Sequence, residues 1–150
     1  MSLLAVNSLE SGALRVGRFR RGSTTPGATI RPMNDLQHLR VAVVHEWLET
    51  PLGSERYLAE VLGVLPQADV FAIVDFMPHA HRKFLGGRVV RTSFIQRLPL
   101  ARRKFRSYLP LMPWAVEQFD MTGYDMVISN SHAVAKGVIT SGNQLHVCIC

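Results

Sequence analysis

Two uninterrupted apolar runs, Val41-Ala42-Val43-Val44 and Val70-Phe71-Ala72-Ile73-Val74, constrain this chain more than any other feature of its sequence. A strand with one wet face alternates apolar and polar residues. A run that is apolar at every position fits a strand covered on both faces, the setting of a parallel sheet. Between the two runs, Tyr57, Leu58, Val61, Leu62 and Leu65 recur at helical spacing. Ser54 is the expected N-cap of that helix, Glu55 lies in its first turn where the dipole favours a carboxylate, and Pro66 ends it. Further strands are expected at Arg88–Thr92 after the Gly86-Gly87 turn, at Asp125–Ser129 and at His146–Cys150. A short helix is expected over Ala133–Ile139, and residues 94–119, interrupted by Pro99, Pro110 and Pro113, read as mostly helical or irregular.

Strands alternating with helical connections predict parallel βαβ units with right-handed crossovers. The fold class expected for residues 35–150 is therefore α/β, a Rossmann-like parallel sheet with flanking helices. Hydrophobic residues make up 47% and charged residues 19% of 150, enough to build a packed core. Residues 1–34 differ: they are rich in Gly, Ser, Thr and Arg, lack apolar periodicity, and are expected to form a disordered basic tail. That composition is compatible with a transit peptide or with an extension upstream of a start at Met33. No stretch reaches the roughly 18 apolar residues of a spanning helix. The cysteines, Cys148 and Cys150, give no disulfide framework and are expected as small core residues rather than zinc ligands. A cytoplasmic protein is the expectation, peripheral to the inner face of a membrane if it meets one.

The net charge of +6 is unevenly distributed. Residues 76–116 hold nine Lys or Arg and no acid, whereas residues 35–75 hold two arginines and seven acids. So polarised a field attracts anions such as phosphates, acidic lipids or nucleic acid. Within it Arg97, Arg102, Arg103, Lys104 and Arg106 are interleaved with Leu98, Leu100, Phe105, Tyr108, Leu109, Leu111 and Trp114. Such a segment suits an anionic membrane interface. It equally suits a solvated face over a structural stripe, and less well the stacking of Phe105 and Tyr108 on RNA bases.

Three groups of residues fall where strands end, the edge at which open parallel sheets bind ligands. Gly53 and Ser54 stand at the start of the first helix, where free N–H groups attract anions. His45 and Glu46, followed by Trp47, close the first strand. Ser129-Asn130-Ser131-His132 follows a later strand, with Lys136 beyond it. Ordinary tight-turn, loop-capping and helix-capping roles account for these residues as well. The G-x-G-x-x-G fingerprint is missing, which disfavours a nicotinamide or flavin enzyme, and without G-x-S-x-G there is no serine nucleophile elbow.

In order along the chain, Val43-Val44-His45-Glu46-Trp47-Leu48, Gly53-Ser54-Glu55-Arg56, Thr92-Ser93-Phe94-Ile95-Gln96-Arg97-Leu98-Pro99, Tyr108-Leu109-Pro110-Leu111-Met112-Pro113, Gly123-Tyr124-Asp125 and Ser131-His132-Ala133-Val134-Ala135-Lys136-Gly137 resemble the amino-terminal domain of family 4 glycosyltransferases. The resemblance covers residues 39–150. It implies a retaining, metal-independent sugar transfer from a nucleotide-sugar in a two-domain GT-B arrangement, with no cofactor beyond that substrate. The amino-terminal domain of such enzymes binds a sugar or lipid-linked acceptor and borders the donor diphosphate, while a carboxyl-terminal domain holds the nucleotide. On this resemblance Gly53 and Ser54 belong to the donor-phosphate loop. By their strand-end position His45, Glu46, Ser131, His132 and Lys136 are expected in the acceptor cleft, and by the partition of charge Arg102, Arg103, Lys104 and Arg106 are expected to meet a membrane surface. No catalytic residue is assigned.

The chain departs from the family pattern at three points. Leu52 precedes Gly53 where a second glycine is usual, and Glu46 stands where Asp is usual. The sequence stops at Cys150, before the histidine and the donor domain of relatives, so the chain is expected to be incomplete at its carboxyl end and inactive alone. The competing expectations are a non-catalytic module binding anions or nucleic acid, and a non-functional gene fragment.

Overall fold

The structure is a computed structural model that describes residues 33–50 and 53–150. The tail expected over residues 1–34 lies outside these apart from Met33 and Asn34, which open a 3-10 turn, Met33–His38. Leu52 also lies outside the described residues.

Residues 39–150 form one compact unit. Its sheet contains β1 (Val41–Leu48), β2 (Asp69–Asp75), β3 (Val90–Thr92), β4 (Met126–Asn130) and β5 (Leu145–Ile149), in the spatial order β3-β2-β1-β4-β5. Every neighbouring pair is parallel. The helices are α1 (Gly53–Val64), α2 (Ala101–Lys104) and α3 (Met112–Glu117), accompanied by 3-10 turns that include Phe94–Arg97 and Phe105–Leu111. This is the Rossmann-like α/β architecture that the apolar runs predict.

Burial explains why those runs must be apolar throughout. Val41, Ala42, Val43 and Val44 are all at most 1% exposed, as is β2 from Ala72 to Val74. By strand alternation Ala42 and Val44 share one face, where they join Phe71, Val116, Met121, Val127, Ala135 and Val138. A second cluster brings Ile73 and Val74 together with Ile95, Phe105, Met112 and Ala115. Thus the proline-interrupted segment after β3 does not wander: Ile95, Phe105, Met112 and Ala115 are its anchors to the sheet.

Several local expectations are corrected. α1 begins at Gly53, so Ser54 is inside the helix rather than its N-cap, and its hydroxyl donates to Glu55 Oε2 at 2.9 Å. Leu58, Leu62 and Leu65 are buried, but Tyr57 is exposed. β3 is shorter than expected because Gly86 and Gly87 both take positive φ and Arg88 turns aside to donate to the carbonyls of Leu85 and Pro66. Instead of a helix over Ala133–Ile139 there is a single 3-10 turn, Ala135–Gly137. Cys148 and Cys150 are exposed rather than core residues, because β5 is an edge strand and most of its residues are only partly covered.

Replacing a large core side chain leaves a cavity that the sheet cannot collapse to fill. Phe105→Ala should lower the unfolding free energy by about 3–5 kcal/mol, measured by urea denaturation. Trp114→Ala, at an exposed position, should cost under about 1 kcal/mol in the same titration.

Candidate functional site at the β1/β4 crevice

β1 leads by way of α1 to β2 on one side of it, and its other neighbour is β4. The strand order therefore reverses between β1 and β4, and the crevice beyond the carboxyl ends of those two strands is where open α/β sheets accept ligands. α1 starts beyond the end of β1, and the Ser131–Gly137 segment starts beyond the end of β4. Both elements meet at this crevice.

Glu46 holds the segment in place. Its side chain leaves β1, is 2% exposed, and offers Oε1 to the Ser131 hydroxyl at 2.9 Å. The same oxygen accepts from the backbone N–H groups of Ala133 at 2.5 Å, Val134 at 2.6 Å and Ala135 at 3.4 Å. A carboxylate receiving several N–H bonds in a dry site makes strong, charge-assisted contacts. Consecutive amides converging on one oxygen are the arrangement by which a side chain caps the start of a turn, here the single 3-10 turn Ala135–Gly137. Glu46 Oε2 is buried without a hydrogen bond, and His132 Nδ1 stands 3.0 Å away at ion-pair distance but outside hydrogen-bond geometry.

A second linkage joins the same elements. Asn130 Nδ2 lies 3.2 Å from His45 Nδ1 and donates to the Ser54 carbonyl at 3.2 Å. One amide thus ties the end of β4 to β1 and to the first turn of α1. With Nδ2 as donor, His45 Nδ1 is the acceptor and its ring proton sits on Nε2. Burial pushes the His45 imidazole below its ordinary value of 6.5, partly opposed by the nearby carboxylates of Glu55 and Glu46. On β5, beyond β4, His146 is also lowered by burial, with Nε2 2.9 Å from the Ser129 hydroxyl.

The predicted residues thus separate into two sets. His45, Glu46 and Ser131 are each 2% exposed and form a buried framework. His132 and Lys136 reach solvent, and His132 packs edge-on against Trp47 with ring centroids 5.0 Å apart. Gly53 is exposed, and a Cβ added there would meet nothing within 4 Å. Internal packing therefore does not demand glycine at this position. Asn130, named in the sequence only as part of a run, is the bridging residue that spacing alone did not single out. Its signal was its place at the end of an apolar strand.

The basic residues are also resolved into two kinds. Arg106 donates to Glu49 Oε2 at 2.8 Å and lies over the rings of Phe105 and Trp47, 4.5 and 5.9 Å from their centroids. It fastens its segment to the edge of the crevice. Arg102, Arg103 and Lys104 are exposed on α2. Leu100, immediately before α2, is 63% exposed with φ 56°, a left-handed backbone in which a leucine is strained. Among the described residues no helix is long and apolar enough to cross a membrane, and no cluster of three or more His, Cys, Asp or Glu is placed to hold a metal ion.

Comparison with protein families, curated proteins and solved structures finds no match to this chain.

Two outcomes follow from the buried groups. Glu46→Ala strands several N–H donors and should lower the unfolding free energy by about 2–5 kcal/mol. Glu46→Gln keeps an acceptor oxygen and should cost less, a ranking that urea denaturation checks. His45 and His146 bind protons less readily folded than unfolded, so protonation favours the unfolded chain. Stability should therefore fall as pH drops below about 6.5, at no more than about 1.4 kcal/mol per pH unit for each group. His45→Asn should flatten that decline in denaturation curves taken across the same range.

Proposed function

We propose that this chain is the acceptor-side domain of a retaining glycosyltransferase that uses a nucleotide-sugar donor. One observation carries the reading: at the single β1/β4 reversal, the open start of α1 at Gly53 and the His132–Lys136 rim lie beyond adjacent parallel strands, tied together by Glu46 and Asn130. The motif order that resembles family 4 glycosyltransferases gives this crevice its chemistry.

In the proposed mechanism the N–H groups at the start of α1 face the donor diphosphate, with Gly53 admitting close approach. Positive backbone dipoles there stabilise the charge that builds on the departing phosphate. His132 and Lys136 take the acceptor's hydroxyl or phosphate groups, while His45, Glu46 and Ser131 keep the rim in position from below. The nucleotide is held by a donor domain outside these residues. No metal is required, since fixed dipoles and cations carry the electrostatic work.

The acceptor side meets an anionic membrane surface through Arg102, Arg103 and Lys104, with Leu100 and Trp114 as exposed apolar neighbours. Each cation near such a surface contributes about 1 kcal/mol. Changing those three to Ser should weaken binding to anionic vesicles at least about tenfold at moderate salt. Unchanged vesicle binding would remove the membrane contact.

Transfer itself is tested on the natural polypeptide that carries this sequence. Release of nucleoside diphosphate is followed over a panel of nucleotide-sugars with a membrane lipid extract as acceptor. Gly53→Val should leave the melting temperature nearly unchanged and lower release by about tenfold or more. Absence of release with every donor, together with no pyrophosphate-induced amide shifts at Gly53–Glu55, would contradict the reading.

A further inference from the structure

The two cysteines lie beside the site just described, Cys150 close enough to feel the charges of Lys136 and Glu46, and have a chemistry of their own. Cys148 and Cys150 are alternate residues of the edge strand and its end, so their side chains leave on the same face. Both are exposed, and their sulfurs are 3.2 Å apart. With no third ligand placed beside them among the described residues, the pair is a bare dithiol open to small reagents. We propose that Cys148 and Cys150 are a thiol–disulfide exchange site, closing to an intrastrand disulfide on reaction with a low-molecular-weight disulfide of the glutathione class.

The exchange balances in two steps. The Cys148 thiolate attacks one sulfur of the reagent disulfide, whose S–S bond breaks to release a first thiolate and leave a mixed disulfide on Cys148. Cys150 then attacks the Cys148 sulfur, breaks the mixed S–S bond and expels the second thiolate. The two cysteine protons end on the two released thiols, so the protein loses two electrons and the reagent gains them. The two sulfurs share one hydrogen bond in which either can be the donor, so the same exchange balances with the cysteines in the reverse order.

Strand geometry makes the closed form labile. Residues two apart on a strand have Cα atoms about 6.6 Å apart. Disulfides prefer roughly 5.5–6 Å and reach at most about 6.8 Å. The ring is therefore stretched, and stretched exposed disulfides are the readily reduced ones. Closure also falls on a residue with a second duty. Ile149, inside the ring, accepts the Ser131 backbone N–H at 2.9 Å, and the Ser131 hydroxyl donates to Glu46. Pulling Cys148 and Cys150 together shifts that carbonyl and so reports on the loop after β4. This coupling is independent of the transferase reading.

The test treats the reduced chain with glutathione disulfide and follows it by intact mass, with maleimide labelling of residual thiols. The chain's only cysteines are these two, so the outcomes are few. Wild type should lose the mass of two hydrogens and both labels, then recover both with a small excess of reduced dithiol. Cys148→Ser and Cys150→Ser should each stop at one glutathione adduct. In spectra of labelled protein the Ser131 amide should move on oxidation of wild type alone. Wild type that stops at an adduct, forms a disulfide-linked dimer or fails to react would overturn the site, and an unmoved Ser131 amide would overturn its coupling to the loop.

Discussion

A single buried carboxylate decides the form of this molecule's ligand-facing edge. Glu46 leaves a dry strand whose other residues, His45 apart, are apolar, and spends its charge on one hydroxyl and three backbone amides of the segment beyond β4. An ionised group taken out of water is costly unless its lone pairs are filled. Here one oxygen is filled to excess while the other has only the edge of His132 beside it. The segment therefore cannot leave without stranding a buried charge. His132, Lys136 and the outlet of the crevice take their positions from that bargain.

The parallel sheet supplies the frame in which the carboxylate acts. Only where the order reverses, between β1 and β4, do the connections from adjacent strands diverge and leave room for a ligand. Asn130 reinforces this point from the other side by joining His45 to the first turn of α1. The buried members of the site have low exposure and defined partners, whereas the residues offered to a ligand are a glycine with empty space above it, a histidine edge-on to Trp47 and a lysine. Rigid support beneath an accessible rim is the arrangement a binding site needs.

Much of the frame was legible in the sequence because hydrophobic burial writes itself as a pattern. β1 and β2 follow from runs with no polar interruption, and Leu58, Leu62 and Leu65 follow from helical spacing. What was not legible depends on contacts between distant residues. Where a helix is expected after Ser131 there is one 3-10 turn, and the amides leading into it are held by Glu46 from more than eighty positions earlier. Arg106 looks like a free surface cation, yet Glu49 claims it from fifty-seven positions away. Cys148 and Cys150 look like core residues until the strand order puts β5 at the edge. The candidate site was legible as a set of strand ends. Its division into buried support and exposed rim was not, because periodicity says which face a residue takes but not how far a neighbouring loop folds over it.

Native-state hydrogen exchange at the Ala133 and Val134 amides addresses the central claim most directly. Neither amide belongs to a helix or strand, so only the Glu46 carboxylate protects them. The account predicts that they exchange as slowly as the β4 amides paired to β1. Exchange at the rate of the exposed Gly142 and Asn143 amides would contradict it, and with it the view that Glu46 builds this edge of the molecule.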